Sequence, residues 1–159
     1  MVNYSTRMMQ QVEAEQNGPQ EEEPFYAVDV KSFEASGRSY AYALYSRLCW
    51  RDGCPLSTGD GKPAPFSQAS LTDYSKALAS HCSREPDYLL PGTPITEAVF
   101  RLLISNGNRP VTLPEVQAGL TAAWASVIYL KNLSDDVLRR MLDQPNEYHM
   151  TRVPAPTRR

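Results

Sequence analysis

A mainly α-helical fold with a little strand is what this chain predicts, on three observations. Between Thr93 and Leu142, apolar residues recur at helical spacing in three separate runs. Each run opens at a residue whose side-chain hydroxyl suits it to cap a helix, and the first stops at Asn106-Gly107. Elsewhere the thirteen prolines confine regular structure to short pieces and imply a globular part diluted by irregular chain.

The C-terminal part, residues 90–153, reads element by element. In its first helix Thr93 is the expected N-cap and Pro94 takes the first helical position. Ile95, Val99, Leu102 and Leu103 form one apolar face, and Asn106-Gly107 supplies a left-handed stop. In the second, Thr112 and Glu115 form a capping box ahead of the stripe Val116, Leu120, Ala123 and Trp124. In the third, Ser134 is the cap. Asp135 and Asp136 sit where the helix dipole is positive, and Val137, Leu138, Met141 and Leu142 face inward. Pro145-Asn146 then turns the chain into the extended run EYHMTRV, which with Pro110-Val111 predicts a short strand pair. Residues 154–159 are a basic tail.

Upstream, residues 1–24 are an acidic leader, with one basic residue against five acidic ones. Such a composition cannot bury enough apolar surface to offset the entropy of ordering, so disorder is expected there. Residues 25–89 form a helical accessory segment with seven charges of each sign. It opens on FYAVDVKSF, whose period-two character predicts a short strand or an extended docking arm. Ala41, Leu44, Tyr45, Leu48 and Cys49 then mark an amphipathic helix, with Gly53 placed to stop it. The stretch CPLSTGDGKPAPF, with three prolines and two glycines, is a loop. A helix from about Ser70 to Cys82 follows, burying Leu71, Tyr74, Ala77 and Leu78.

The N-terminus lacks the basic, apolar, small-residue layout of a secretory signal. The longest uncharged stretch, Val116 to Leu130, is too short and too polar to span a bilayer. These features predict a cytoplasmic protein without a membrane anchor, whose three cysteines are thiols.

The stretch TPITEAVFRLLISNGNRPVTLPEVQAGL, followed by a third helix and a closing strand, resembles a winged-helix domain and is similar to the N-terminal module of the bacterial RNA polymerase delta subunit. The resemblance covers about sixty residues, rests on element order and apolar spacing, and leaves residues 1–89 untouched. It implies a non-enzymatic protein that binds duplex DNA as a regulator or accessory factor, the third helix entering the major groove. Arg139 and Arg140 on that helix, Arg152 on the next strand, and Arg158 and Arg159 in the tail are the residues it would use. Asp135 and Asp136, at the end that usually meets bases, would repel phosphates. The alternative is a protein-interaction subunit of a larger complex. Tyr40, Tyr42 and Trp50, in an aromatic segment that also holds Tyr26 and Tyr45, are its candidate partner-binding residues.

Other constellations are weaker. Cys49, Cys54, His81 and Cys82 are donors of the kinds zinc prefers, but their spacing departs from paired knuckles, and neighbouring positions on a helix point in different directions. That argument makes Cys49 and Cys82 small core residues and assigns no metal or other cofactor. Gly59-Asp60-Gly61-Lys62 lacks the flanking glycine and hydroxyl of a phosphate-binding loop, Leu56 and Pro63 standing there instead. His149 reads as a surface residue. Neither G-x-S-x-G nor H-E-x-x-H occurs, so no catalytic residue is assigned.

Overall fold

The computed structural model describes residues 23–124 and 133–156. The leader before residue 23, Arg158 and Arg159 lie outside them. The chain is mainly helical with a small three-stranded antiparallel sheet. In chain order the elements are β1 (Phe25–Val28), α1 (Val30–Ala35), α2 (Tyr40–Tyr45), α3 (Leu71–Ser80), a 3-10 turn (Cys82–Arg84), α4 (Ile95–Ser105), β2 (Val111–Thr112), α5 (Leu113–Ala123), α6 (Asp135–Asp143) and β3 (Met150–Val153). Among the described residues no helix is long and apolar enough to cross a membrane.

The sheet order is β2-β1-β3, so the two C-terminal strands flank β1 instead of forming the expected pair with each other. Tyr26 lies opposite both Val111 and Arg152, and Val28 lies opposite Met150. The reason is in the side chains: Tyr26, Ala27 and Val28 are all buried, and a short run that is apolar on both faces belongs at the centre of a sheet. Two asparagines extend the ladder. The Asn108 amide accepts from the Val28 N–H at 2.8 Å and donates to its carbonyl at 3.0 Å. Asn146 treats Met150 in the same way, at 3.0 and 2.8 Å.

Several helix boundaries differ from the sequence expectation. α2 starts at the Ser39 cap and stops at Tyr45, well short of Gly53, because the chain tightens into i to i+3 bonds at Arg47 and Leu48 and then passes through a positive φ of 56° at Trp50. α3 begins with a capping box between Ser70 and Asp73 and ends at Ser80. Leu71, expected in its buried stripe, is exposed on its first turn. The residue before α4 is Pro94. The Thr93 hydroxyl donates backwards to the Leu90 carbonyl at 2.6 Å and caps nothing. The Thr112–Glu115 capping box and the Ser134 cap are present as read. Gly119 lets α5 approach α4 closely, since a Cβ there would stand 3.1 Å from the Leu102 methyls.

The core runs from Tyr26 and Phe33 through Leu44, Leu78, Phe100 and Leu120 to Leu142 and Met150. At its centre Phe100 is sandwiched between Phe33, at 6.1 Å, and Tyr148, at 4.7 Å, while the Arg47 guanidinium sits 4.6 Å from its ring centroid. Arg47 reaches there because Glu97 grips it with two hydrogen bonds of 2.9 Å, and Arg101 closes on the same carboxylate at 3.1 Å. Burial opposes ionisation of Glu97. Hydrogen bonds from Arg47 and Tyr148 outweigh it and hold the carboxyl below its ordinary value.

Candidate functional site

The exposed face of α6 carries Asp135, Asp136, Arg139, Arg140 and Asp143, three carboxylates against two guanidinium groups. Arg152, expected to add a third positive charge, is bound to Asp143 through two hydrogen bonds of 2.8 Å. The Tyr26 hydroxyl donates to the same carboxylate at 2.9 Å, and the Arg152 guanidinium lies 5.9 Å from the Tyr26 ring centroid. The Arg152 bond is the main reason the Asp143 carboxyl is held below the usual range, against a smaller opposing effect of burial. The face is therefore of mixed charge, and its strand arginine is neutralised locally.

The three aromatic candidates have different fates. Tyr40 is a core residue, edge-on to Phe33 at 5.8 Å, and its burial pushes its hydroxyl up to about 12. Trp50 is half-buried against Tyr45 at 5.3 Å. Tyr42 is 52% exposed and meets, edge-to-face at 5.2 Å, the 39%-exposed ring of Phe66. Sequence reasoning passed over Phe66, because an aromatic residue at the end of a Pro/Gly loop belongs to no periodic pattern.

The largest departure concerns the thiols. Donor atoms of Cys49, Cys54, His81 and Cys82 all lie within 4.8 Å of one another. Cys49 Sγ is 3.3 Å from His81 Nδ1, and Cys54 Sγ is 3.8 Å from Cys82 Sγ. The objection that neighbouring His81 and Cys82 diverge on a helix fails, because α3 ends one residue earlier. His81 has φ −136° and ψ −61°, a conformation that breaks the helix and turns its ring and the Cys82 thiol toward the same point. From the other side, the Arg51–Cys54 turn and Gly53 at φ 92° fold the Cys49–Cys54 loop back on itself. A Cβ on Gly53 would lie 3.3 Å from His81 Nε2, so the loop backbone packs directly on the imidazole.

Around this core stand further polar groups. The Cys49 N–H donates to Cys82 Sγ at 3.3 Å. His81 Nε2 faces Glu85 Oε1 at 3.6 Å, and the other Glu85 oxygen accepts from Arg51 at 2.8 Å, Arg51 also holding Asp87. Cys54 and Cys82 are buried and Cys49 is partly so, all three as free thiols. Burial pushes the Cys82 thiol well up. Comparison with known proteins finds no family model, no curated protein and no solved structure that matches the chain.

Proposed function

We propose that the chain is a non-enzymatic interaction subunit that docks a protein partner through the aromatic surface of Tyr42 and Phe66. The observation that carries this reading is the exposure of two facing aromatic rings on a surface whose other aromatics, Tyr45 and Tyr74, are packed beneath them at 5.4 and 6.2 Å from Phe66. Rigid, partly desolvated aromatic groups are the usual anchors of protein interfaces. The partner it suits is a segment presenting an apolar side chain, since the rings offer faces and edges with little charge between them.

The winged-helix resemblance of the C-terminal part rests on the order α4, β2, α5, α6, β3, while the central strand of the sheet is β1, from outside that part. Duplex DNA as the target would rest on Arg139 and Arg140, because Asp143 engages Arg152 and Asp135 and Asp136 balance the two remaining guanidinium groups of the α6 face. Phosphate contacts are strongest at low salt, so the two readings separate there.

Fluorescence anisotropy with a labelled duplex at low salt should show no binding. Binding that weakens with salt and is lost in Arg139→Ala/Arg140→Ala would overturn the reading. A photo-crosslinking side chain at position 42, in cells of the native host, should give one discrete adduct that Phe66→Ser abolishes. The same side chain at Glu34 should give none.

A further inference from the structure

We propose that Cys49, Cys54, His81 and Cys82 form a structural zinc site that ties the irregular chain after α2 to the end of α3. Zinc binds thiolate at about 2.3 Å and imidazole at about 2.0 Å, so a tetrahedral site separates two sulfurs by about 3.8 Å and a sulfur from a nitrogen by about 3.5 Å. The separations here are 3.8 Å for Cys54 Sγ to Cys82 Sγ and 3.3 Å for Cys49 Sγ to His81 Nδ1, with all four donors inside 4.8 Å. Four donors, three of them soft, surround one point, and soft thiolates with an imidazole select zinc over magnesium or calcium.

The surroundings fit a ligated ion. A metal-bound histidine commonly hands its other ring nitrogen to a carboxylate, which fixes the tautomer and the ring plane. Here Nδ1 faces the thiols and Nε2 faces Glu85, itself held by Arg51. The N–H of Cys49 donates to Cys82 Sγ, the kind of bond that stabilises a thiolate. Three thiols and an imidazole crowd together, Cys54 and Cys82 buried and Cys49 and His81 half-buried, and they partner chiefly one another. A divalent cation gives all four one shared partner and deprotonates the thiols as it binds. The local backbone points the same way. Trp50 holds a positive φ, unusual for a bulky side chain, and Gly53 holds another against the imidazole, both inside the six-residue Cys49–Cys54 loop.

The competing chemistry is a nucleophilic triad of Cys49, His81 and Glu85. It would leave Cys54 and Cys82 without a role beside the nucleophile. A metal site uses every donor in the cluster and closes its fourth position with protein, as structural zinc does.

The test uses the full chain, expressed with zinc in the medium and purified without chelator. Elemental analysis should find about one zinc per chain. Zinc below about a tenth of that, with none taken up from added Zn2+, or stoichiometric iron in its place, overturns the site. Replacing zinc with Co2+ should give the thiolate-to-cobalt charge-transfer band and the intense visible bands of tetrahedral cobalt. A weak octahedral spectrum overturns it. This measurement needs no variant, so it decides the matter even where Cys54→Ser or Cys82→Ser fails to fold. Glu85→Gln should keep the cobalt spectrum and lower zinc affinity about 10- to 100-fold in competition with a chromophoric chelator. Iodoacetamide should label Cys49 slowly until a chelator is added. Rapid labelling of the folded protein as purified, chelator making no difference, favours the triad and sinks the proposal.

Discussion

Thr112 and Glu115 start α5 with two hydrogen bonds between residues three apart, whereas Cys49 finds His81 across 32 positions. The two regions are encoded differently. From α4 to α6 the chain declares its elements locally, through caps and stripes that each need only a few neighbours. Between Arg47 and Arg84 the backbone is mostly irregular, and what organises it is a meeting of side chains that no local pattern contains. An irregular stretch of some two dozen residues between α2 and α3 is long for a compact fold, and such loops usually carry a site. It supplies Phe66 to the exposed aromatic patch and Cys49 and Cys54 to the thiol cluster.

The largest expected effect comes from the residue the two regions share. Phe100 belongs to α4 but stacks on Phe33 from α1 and beneath Arg47 from the irregular stretch, and it is fully buried. Phe100→Ala should cost about 3–5 kcal/mol, the usual toll for deleting a buried aromatic. In a denaturant titration followed by far-ultraviolet circular dichroism and by tryptophan fluorescence, both probes should shift together. Shifts that separate would mean that the regions fold independently, as two domains.

Much of the first region is legible in advance and much of the second is not, for reasons visible at single residues. Ser134 and Thr112 cap as their sequence context predicts, because a cap is a contract between residues i and i+3. Thr93 misleads because its hydroxyl turns back to the Leu90 carbonyl, which leaves Pro94 at the N-cap position with no side-chain cap. The central place of β1 escapes local reading, since it depends on two partners more than eighty residues downstream. Cys49, Cys54, His81 and Cys82 are visible as a set, but their geometry turns on α3 ending at Ser80 and not two residues later. Element boundaries are the least certain part of a sequence reading. Here the chemistry hangs on one of them.

The ion pair between the regions gives a middle-sized effect with a pH signature. Glu97 on α4 holds Arg47, both side chains less than a fifth exposed. Glu97→Gln keeps the shape and removes the charge. It should cost about 1–2 kcal/mol at neutral pH, toward the lower end for a hydrogen bond to a charged group because the pair still sees solvent. The Glu97 carboxyl is held below its ordinary value of 4.5, so its contribution is fully present above that pH and fades as pH falls through the lower folded value. Wild type and variant should accordingly converge in unfolding free energy as acid is added below about pH 4.5. A gap that persists unchanged to lower pH would mean that the pair acts through packing and not through charge.

The smallest effect bears on the most consequential choice, that between a protein and a nucleic-acid partner. Asp135 and Asp136 begin α6, where the N-terminal dipole favours negative charge, and they also make the end of the helix hostile to phosphate. Asp135→Asn/Asp136→Asn should lower stability by about 0.5–1.5 kcal/mol in total, read as a small fall in melting temperature that high salt reduces. The same substitution leaves Arg139 and Arg140 as the only formal charges on the exposed face before Asp143. If α6 is a reading helix whose carboxylates merely tune affinity, the variant should bind a duplex at low salt more tightly than wild type, with a measurable salt slope. Two arginines beside a strand whose own arginine is tied to Asp143 make a weak electrostatic footprint, so the expected result is a slight loss of stability with no duplex binding gained. That outcome would place the two carboxylates in the local code that builds the helix and leave partner recognition to the irregular region.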